Sequence, residues 1–395
     1  MSGKINIVYD VSYPFVEGGG QKRIYEVARR LTRIGWKIQW FSFKTWEGAR
    51  CIERDGISYI GLDGFVPLYN ASGRRSWREA LAFGRAVWKN RKAIRDADVL
   101  WCGQWPYSHL SPLLYPGKPR LYVDWWEVWG RHWFEYFNGW GSVIGYAGER
   151  LFARLCSRRG IIIAISARGV RELVSVGART KSVRMIPNGI DISGIEHVRP
   201  ASEMTDLIYV GRLKNHKNVD HILKAMRVLR TEHNINARAV IVGTGPAEEM
   251  LRALVAEFGL ASAVRFRGSL DEEGKFAHIK SASIFVHPST KEGGGSLTVL
   301  EAHACGVPVI IYDAPQGIDP EYIQEGATGW IVKPATPESL AAQLAQLLGD
   351  KSSSRNVTSS ACLESAKRYD WDRIAMRYHS LFAEPFGEQY GSNSD

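Results

Sequence analysis

The sequence predicts an α/β protein built from two doubly wound domains in tandem. Three observations carry this. Short β-branched runs alternate with amphipathic helical patterns, the rhythm of a parallel sheet covered on both faces. That rhythm restarts once, at "DLIYVG" (206–211). The chain has 395 residues, more than one hydrophobic core usually organises.

Taken in order, "INIVYD" (5–10) is an apolar run that predicts a buried strand, and "QKRIYEVARRLTRIG" (21–35) an amphipathic helix closed by Gly35. "KIQWFSF", "DVLWC", "RLYVD", "GIIIAIS" and "VRMIP" follow as strands. The segment 187–205, broken by Pro187, Gly189 and Gly194, reads as connection. Beyond it come strand "DLIYVG", helix "VDHILKAMRVLRTE", strand "ARAVIVG", helix "AEEMLRALVAEFG" and strand "AVRFRG". Strand "ASIFVHP", a helix carrying Glu301, strands "VPVIIYD" and "GWIVKP", and a helical tail complete the pattern. Only "EQYGSNSD" (388–395) reads as a loose end.

Composition narrows the function classes. No run of 18 apolar residues occurs, which excludes a spanning helix, and the chain opens directly on a strand, so no leader is predicted. Five cysteines are scattered without a CxxC spacing, which predicts a reducing, cytoplasmic setting without disulfides or a zinc site. The net charge of +10 is uneven: residues 1–190 hold 30 basic and 15 acidic side chains, and the rest are net acidic. The first half is therefore the part suited to an anionic partner, whether a membrane surface, a diphosphate-bearing acceptor or nucleic acid, unless the charge is simply solvated. No RNA- or DNA-binding module is recognisable, so no nucleic-acid partner is predicted.

Open α/β sheets place ligands at the carboxyl ends of their strands, and three loops there stand out. In "YPFVEGGGQKRIYEV", Gly18, Gly19 and Gly20 precede a helix start, where bare backbone and free N–H groups suit an oxygen-rich ligand; a flexible turn is the plainer alternative. In "YVGRLKNHKNVDHILKA", Arg212 and Lys217 suit a diphosphate, or else merely face solvent. In "KEGGGSLTVLEAHACGVPVI", the glycines 293–295 are expected to expose N–H groups at a helix start, through Gly294, Gly295, Ser296 and Leu297. Glu301, expected about two turns into that helix, suits the two hydroxyls of a ribose, or else an internal ion pair. "VGTGP" (242–246) lacks the glycine fingerprint and the following acidic residue of a dinucleotide site.

These stretches, with "VRFRGSL", "ASIFVHPSTKEGG", "GATGWIV", "AKRYDWDRIAMRY" and, in the first half, "EGGGQKRIYEVARRL" and "ISARGVRELVSVGA", resemble glycosyltransferase family 4, the retaining enzymes of GT-B fold. The resemblance spans nearly the whole chain and is weakest between about residues 45 and 145. It implies two Rossmann-like domains facing across a central cleft. Residues 1–187, rejoined by a crossover helix at about 371–385, would form the acceptor domain, and 188–370 the donor domain. It also implies a nucleoside diphosphate sugar as donor, UDP-linked before GDP-mannose, and transfer to a saccharide or lipid-linked saccharide with no cofactor and no essential metal. No Asp-x-Asp pair follows a strand, in keeping with that.

Residue by residue, the resemblance gives Arg212 and Lys217 to the diphosphate and Glu301 to the ribose. Gly18, Gly19 and Gly20 would lie over the phosphates and the sugar, and the backbone at Arg267 and Gly268 would face the nucleobase. The family's two glutamates are separated by seven residues. Here eight lie between Glu292 and Glu301, and Gly293 takes the strict register, so either Glu292 serves through an extra loop residue or backbone N–H groups act alone. Trp126 stands where many relatives carry a histidine; Asp124, Glu127 and His132 are the nearby polar candidates, with Glu127 or His132 orienting the acceptor or taking its proton. Trp125, Trp126, Trp129 and Trp133 offer flat faces for sugars or fill a core. Arg150, Arg154, Arg158 and Arg159, expected on one helix face among aromatics, predict peripheral contact with an anionic membrane, on the inner face of the cytoplasmic membrane. The rival chemistries on this scaffold are a sugar-nucleotide epimerase and a sugar phosphorylase.

Overall fold

The structure is a computed structural model that describes residues 3–68, 77–104, 119–136, 139–349 and 355–384. The tail 388–395 lies outside them. The chain forms two compact units, Met1–Pro187 with Trp371–Asp395, and Asn188–Asp370.

In the first unit, strand β1 (Lys4–Val8) leads to helix α1 (Gly19–Arg33), β2 (Lys37–Phe43), β3 (Cys51–Arg54), β4 (Ile57–Leu62), α2 (Trp77–Lys89), α3 (Arg91–Arg95) and β5 (Val99–Gly103). Then come β6 (Arg120–Trp125), α4 (His132–Tyr136), α5 (Trp140–Arg159), β7 (Gly160–Ala164), α6 (Ala167–Ser175) and β8 (Val183–Met185). The described strands form one sheet in the order β3-β4-β2-β1-β5-β6-β7-β8, antiparallel only at β3–β4. That hairpin was not anticipated from the sequence. Asp55 and Gly56 both take positive φ, the turn geometry for which Asp-Gly is the usual signal.

The apolar runs of β5 and β7 are buried along their whole length, as strands covered on both faces must be. One face of the sheet packs Ile24, Val27, Ala28 and Leu31 of α1, a spacing that puts them on one helical stripe. The other face packs Phe83 and Val87 of α2 and Phe152, Ala153 and Cys156 of α5.

The second unit runs α7 (Ile192–Glu196), β9 (Thr205–Val210), α8 (Val219–Glu232), β10 (Ala239–Val242), α9 (Glu248–Glu257), β11 (Val264–Gly268), α10 (Glu272–Lys280) and β12 (Ala282–His287). It continues with β13 (Lys291–Gly294), α11 (Leu297–Ala304), β14 (Val309–Tyr312), β15 (Gln316–Ile318), β16 (Gly329–Val332), α12 (Pro337–Gly349) and α13 (Arg355–Ala366). Its main sheet is parallel, in the order β11-β10-β9-β12-β14-β16. This is the doubly wound order in which the winding reverses beside the first strand, and such a reversal opens a crevice at the carboxyl ends. The reversal falls between β9 and β12 here, and between β1 and β5 in the first unit.

The last described helix, α14 (Trp371–Ala383), belongs to the first unit. Its Trp371, Ile374, Tyr378, Leu381 and Phe382 are buried against the α1 face of that sheet. Phe382 meets Tyr122 and Trp101 with ring centroids 4.7 and 5.6 Å apart. At about 2 kcal/mol for each large buried side chain, this face contributes on the order of 10 kcal/mol as an upper bound.

Candidate functional site

The loops after β9 and β12 meet at the reversal point of the second sheet. After β9, residues 211–218 carry Arg212, Lys214, His216 and Lys217. This loop is tied to the one after β12 by polar contacts. The His216 carbonyl accepts from Thr290 N and Ser289 Oγ, each at 3.2 Å, and Asn218 Nδ2 donates to the Pro288 carbonyl at 3.0 Å. Asn218 itself takes a left-handed φ of 51° to open α8. Lys217 forms an ion pair with Glu292 at their shared edge.

Arg212 is exposed at the mouth of this loop. The Lys214 ammonium is held below its usual range, first by the Arg212 charge, then by partial burial and by Lys217. The loop therefore gathers positive charge, an arrangement that a polyanion relieves. His287, at the end of β12, is buried, and burial pushes it down to about 4, so it is neutral at physiological pH. Its Nε2 lies 3.7 Å from Glu292 and 3.5 Å from Ser296 Oγ. Burial alone raises the Glu292 carboxyl, but His287, Lys217 and a hydrogen bond from Ser289 outweigh it, so Glu292 lies below the usual carboxylate range.

Strand β13 is irregular at Glu292. Lys291 pairs with Gln316 and Gly294 with Ile318, so three steps on β13 oppose two on β15. One residue is absorbed in a bulge between Lys291 and Gly294. Glu292, inside this irregular stretch, is the partner of Lys217. The expectation for the glycines is corrected in part. Gly293 and Gly294 belong to a strand, because the backbone there pairs with β15. Gly295 and Ser296 alone precede α11, whose first residue is Leu297. Glu301 is then little more than one turn into the helix, not two.

Glu301 Oε1 accepts from Lys275 Nζ at 2.7 Å. Arg267 lies on β11, where its Nη2 is 3.9 Å from Glu203. The Gly268 carbonyl accepts from Gly243 N at 2.7 Å, which fixes that peptide's direction. On its other side Gly243 lies against Gly211, where a Cβ would stand 2.0 Å from the carbonyl oxygen. The "VGTGP" loop is thus packed against the basic loop, with Leu213 N donating to Thr244 O at 2.9 Å.

In the first unit, Gly18 and Gly19 are exposed at the start of α1, and the Gly18 carbonyl accepts from Lys22 N at 2.9 Å. Gly20 is required by contact: a Cβ there would stand 2.3 Å from the Trp126 ring. Trp126 also meets Tyr9 edge-on at 5.4 Å. Glu127 is exposed on the loop after β6, and His132 is half-buried at the start of α4. Both act on Glu172, which burial raises above the carboxylate range and which Arg168 lowers in part, so the three share one electrostatic neighbourhood.

Two residues absent from the sequence expectations shape that loop. Gln104 accepts from Trp126 N at 3.1 Å and donates to the Glu127 carbonyl at 2.7 Å. Glu149, buried on α5, accepts from Trp129 N and Gly130 N at 2.8 and 2.7 Å. Trp125 and Trp133 are buried and serve the core; Trp126 and Trp129 remain partly exposed.

Asp124 is not an acceptor-side group. It is fully buried, 2.7 Å from Tyr378 Oη and 3.5 Å from Arg23 Nε. Arg23, one turn into α1, also donates to the carbonyls of Pro187 and Ile186 at 2.6 and 2.7 Å. This network ties the glycine-loop helix to β6, β8 and α14.

The arginine face is also corrected. At roughly 100° per residue, Arg159 points half a turn away from Arg150. Arg150 stacks on Tyr146 at 4.1 Å. The outer face of α5 is instead Trp140, Val143, Ile144 and Leu151, all exposed, followed in line by Arg154 and Arg158. No described helix is long and apolar enough to cross a membrane.

Two family models match this chain. The one described as "Glycosyltransferase Family 4" matches residues 17–193, and "Glycosyl transferases group 1" matches residues 196–362. The chain belongs to glycosyltransferase family 4. Among its relatives is the GDP-mannose-dependent alpha-(1-6)-phosphatidylinositol monomannoside mannosyltransferase of Mycobacterium tuberculosis, 30% identical over 260 residues, 60% of this chain and 66% of that protein. The chain spans a quarter to about two thirds of the length of the curated relatives it matches.

Similar solved structures include the sucrose-phosphate synthase of Thermosynechococcus elongatus, at TM-score 0.75 and 18% identity, covering 96% of this chain and 98% of that one. Anabaena HepE in complex with UDP follows at TM-score 0.71 and 16% identity, covering 96% and 99%. These likenesses give this family 4 chain the GT-B fold.

Proposed function

We propose that the chain transfers a sugar from a nucleoside diphosphate sugar to a saccharide or lipid-linked saccharide, with retention of configuration and no essential metal. The observation that carries this is the cluster of Arg212, Lys214 and Lys217 on one loop, with Lys217 paired to Glu292, at the reversal point of the second sheet. The cations balance the charge that develops as the bond between the anomeric carbon and the diphosphate breaks. A departing diphosphate oxygen takes the proton of the acceptor hydroxyl, whose oxygen bonds to the anomeric carbon on the same face. Glu292, held against Lys217, faces the sugar. The N–H groups of Gly295, Ser296 and Leu297 bind the phosphates, Glu301 holds the ribose hydroxyls, and the backbone at Arg267 and Gly268 meets the base. In the first unit, Gly18–Gly20 serve the phosphates and sugar, while Glu127 and His132 orient the acceptor.

UDP is favoured as the carrier, supported by the HepE complex; the mycobacterial relative makes GDP-mannose the next choice. The outer face of α5 supports a lipid-linked acceptor in glycolipid or polysaccharide assembly at the inner membrane face. Its first turns offer apolar side chains to the acyl boundary and its last turns offer Arg154 and Arg158 to anionic headgroups.

The test is incubation with UDP- and GDP-sugars, with and without saccharide acceptors, followed by NMR of the anomeric proton. Transfer with the donor's anomeric configuration, unaffected by a chelator, is expected. Interconversion of the intact nucleotide sugar without acceptor would assign an epimerase instead, and phosphate-dependent cleavage of a glycan a phosphorylase.

A further inference from the structure

We propose that Lys275 is a positioning residue for the nucleotide: it sets the Glu301 carboxylate for the ribose and so governs the preference for a ribonucleotide over its 2′-deoxy counterpart. The inference rests on the ribose role proposed above for Glu301.

Lys275 stands on α10 and Glu301 on α11, and nothing in the sequence pattern links them. Nζ lies 2.7 Å from Glu301 Oε1, 3.1 Å from Glu272 Oε1 and 4.4 Å from the centroid of the Phe276 ring. An ammonium has three N–H groups. Two enter these ion pairs and the remaining side faces the ring, which leaves none for a phosphate oxygen. Lys275 therefore acts through Glu301 rather than on the ligand.

The Lys275 and Glu301 side chains are each 15% exposed, so solvent screens the pair little. An ionised carboxylate is acceptor-only, the state that two vicinal hydroxyls require. Tethering one oxygen to Lys275 also fixes the carboxylate plane. Without the lysine, a largely buried carboxylate has lost its cation, and it turns or takes up a proton. Either change weakens a contact that only the ribose 2′-hydroxyl distinguishes.

A simple brace between helices would behave differently. Phe276 and Ile279 of α10 already share a hydrophobic core with Val299, Leu300 and Ala302 of α11. A brace would register in the melting temperature and leave the ribose preference alone.

Calorimetric titration of the full chain with UDP and GDP first identifies the bound base. The nucleotide and its 2′-deoxy analogue are then titrated into wild type, Lys275→Met and Lys275→Arg. Wild type is expected to prefer the ribonucleotide by about tenfold or more, the scale of a hydrogen bond to a charged group. Lys275→Met should reduce the preference to about threefold or less, and Lys275→Arg should restore most of it. An unchanged preference in Lys275→Met, whatever its overall affinity or melting temperature, overturns the inference. If Lys275→Met gives no cooperative melt, Lys275→Gln is judged by the same ratio. A wild type that binds neither nucleotide, or that binds ribose and deoxyribose forms equally, removes the role of Glu301 itself and the inference with it.

Discussion

Lys217 and Glu292 neutralise one another in the free protein, and their roles separate on substitution. Lys217→Ala removes a cation from the proposed diphosphate site and should lower kcat/KM by roughly 10- to 100-fold, the range for losing one charge-assisted contact. Unchanged turnover would remove it from the site. Glu292→Gln should have a split effect: the free nucleoside diphosphate binds several-fold tighter, because Lys217 is released from its partner, while kcat falls. Calorimetry beside steady-state kinetics reads both.

His303 carries a pH dependence of its own. It is fully buried, donates from Nε2 to the Thr328 carbonyl at 3.0 Å, and burial lowers it from 6.5 to about 4. Below pH about 6.5 the unfolded chain binds a proton that the folded chain refuses until about 4, so stability is full above this window and falls as pH drops through it. Between pH 7 and pH 5, wild type should lose about 2 kcal/mol more than His303→Gln in denaturant melts. At this scale the sequence was legible for placement: Arg212 and Lys217 do lie on the loop after β9, and Gly18–Gly20 at the start of α1. Gln104, Glu149 and Lys275 were not, because Trp126, Trp129 and Glu301 are distant from them in sequence and become neighbours only through the fold.

Elements were legible where one period dominates. Helix α8 matches the expected segment residue for residue, because its apolar stripe and the Asn218 entry mark both bounds. Strand β13 was hidden, since its two glycines carry no strand signal and pairing with β15 alone creates it. The Asp55-Gly56 hairpin is marked in the sequence only by its turn dipeptide. The arginine spacing alone does not define the outer face of α5; its exposed apolar positions do. If that face meets a membrane, wild type should sediment with anionic vesicles, and the double substitution Ile144→Asp, Leu151→Asp should leave most of it in the supernatant. Arg154 and Arg158 contribute on the order of 1 kcal/mol each near such a surface, so raised salt should weaken the binding. Wild type remaining in the supernatant would discard the contact.

For the molecule as a whole, alternation of strand and helix was enough to reveal two doubly wound sheets, because parallel strands buried on both faces leave long apolar runs. Composition does not reveal strand order or the network around Arg23, which depend on how distant segments meet. Arg23→Leu leaves Asp124 buried beside no cation and should cost about 3–5 kcal/mol, read as a fall in the melting temperature. Removing α14 should be more severe, since its upper-bound contribution of about 10 kcal/mol is comparable to a domain's entire stability. Residues 1–187 alone should then show no cooperative melt, while residues 188–370 should show one. The same helix also sets the order of events on the ribosome. Synthesis normally lets the earlier unit fold first, at about 5–20 residues per second. Here α14 is made only after the whole of the second unit, a wait of roughly 10 to 40 s at that speed. During that interval Trp36, Trp101 and Tyr122 lack the side chains that cover them, so the first unit to be made is the second to mature, and its apolar face stays open until α14 emerges.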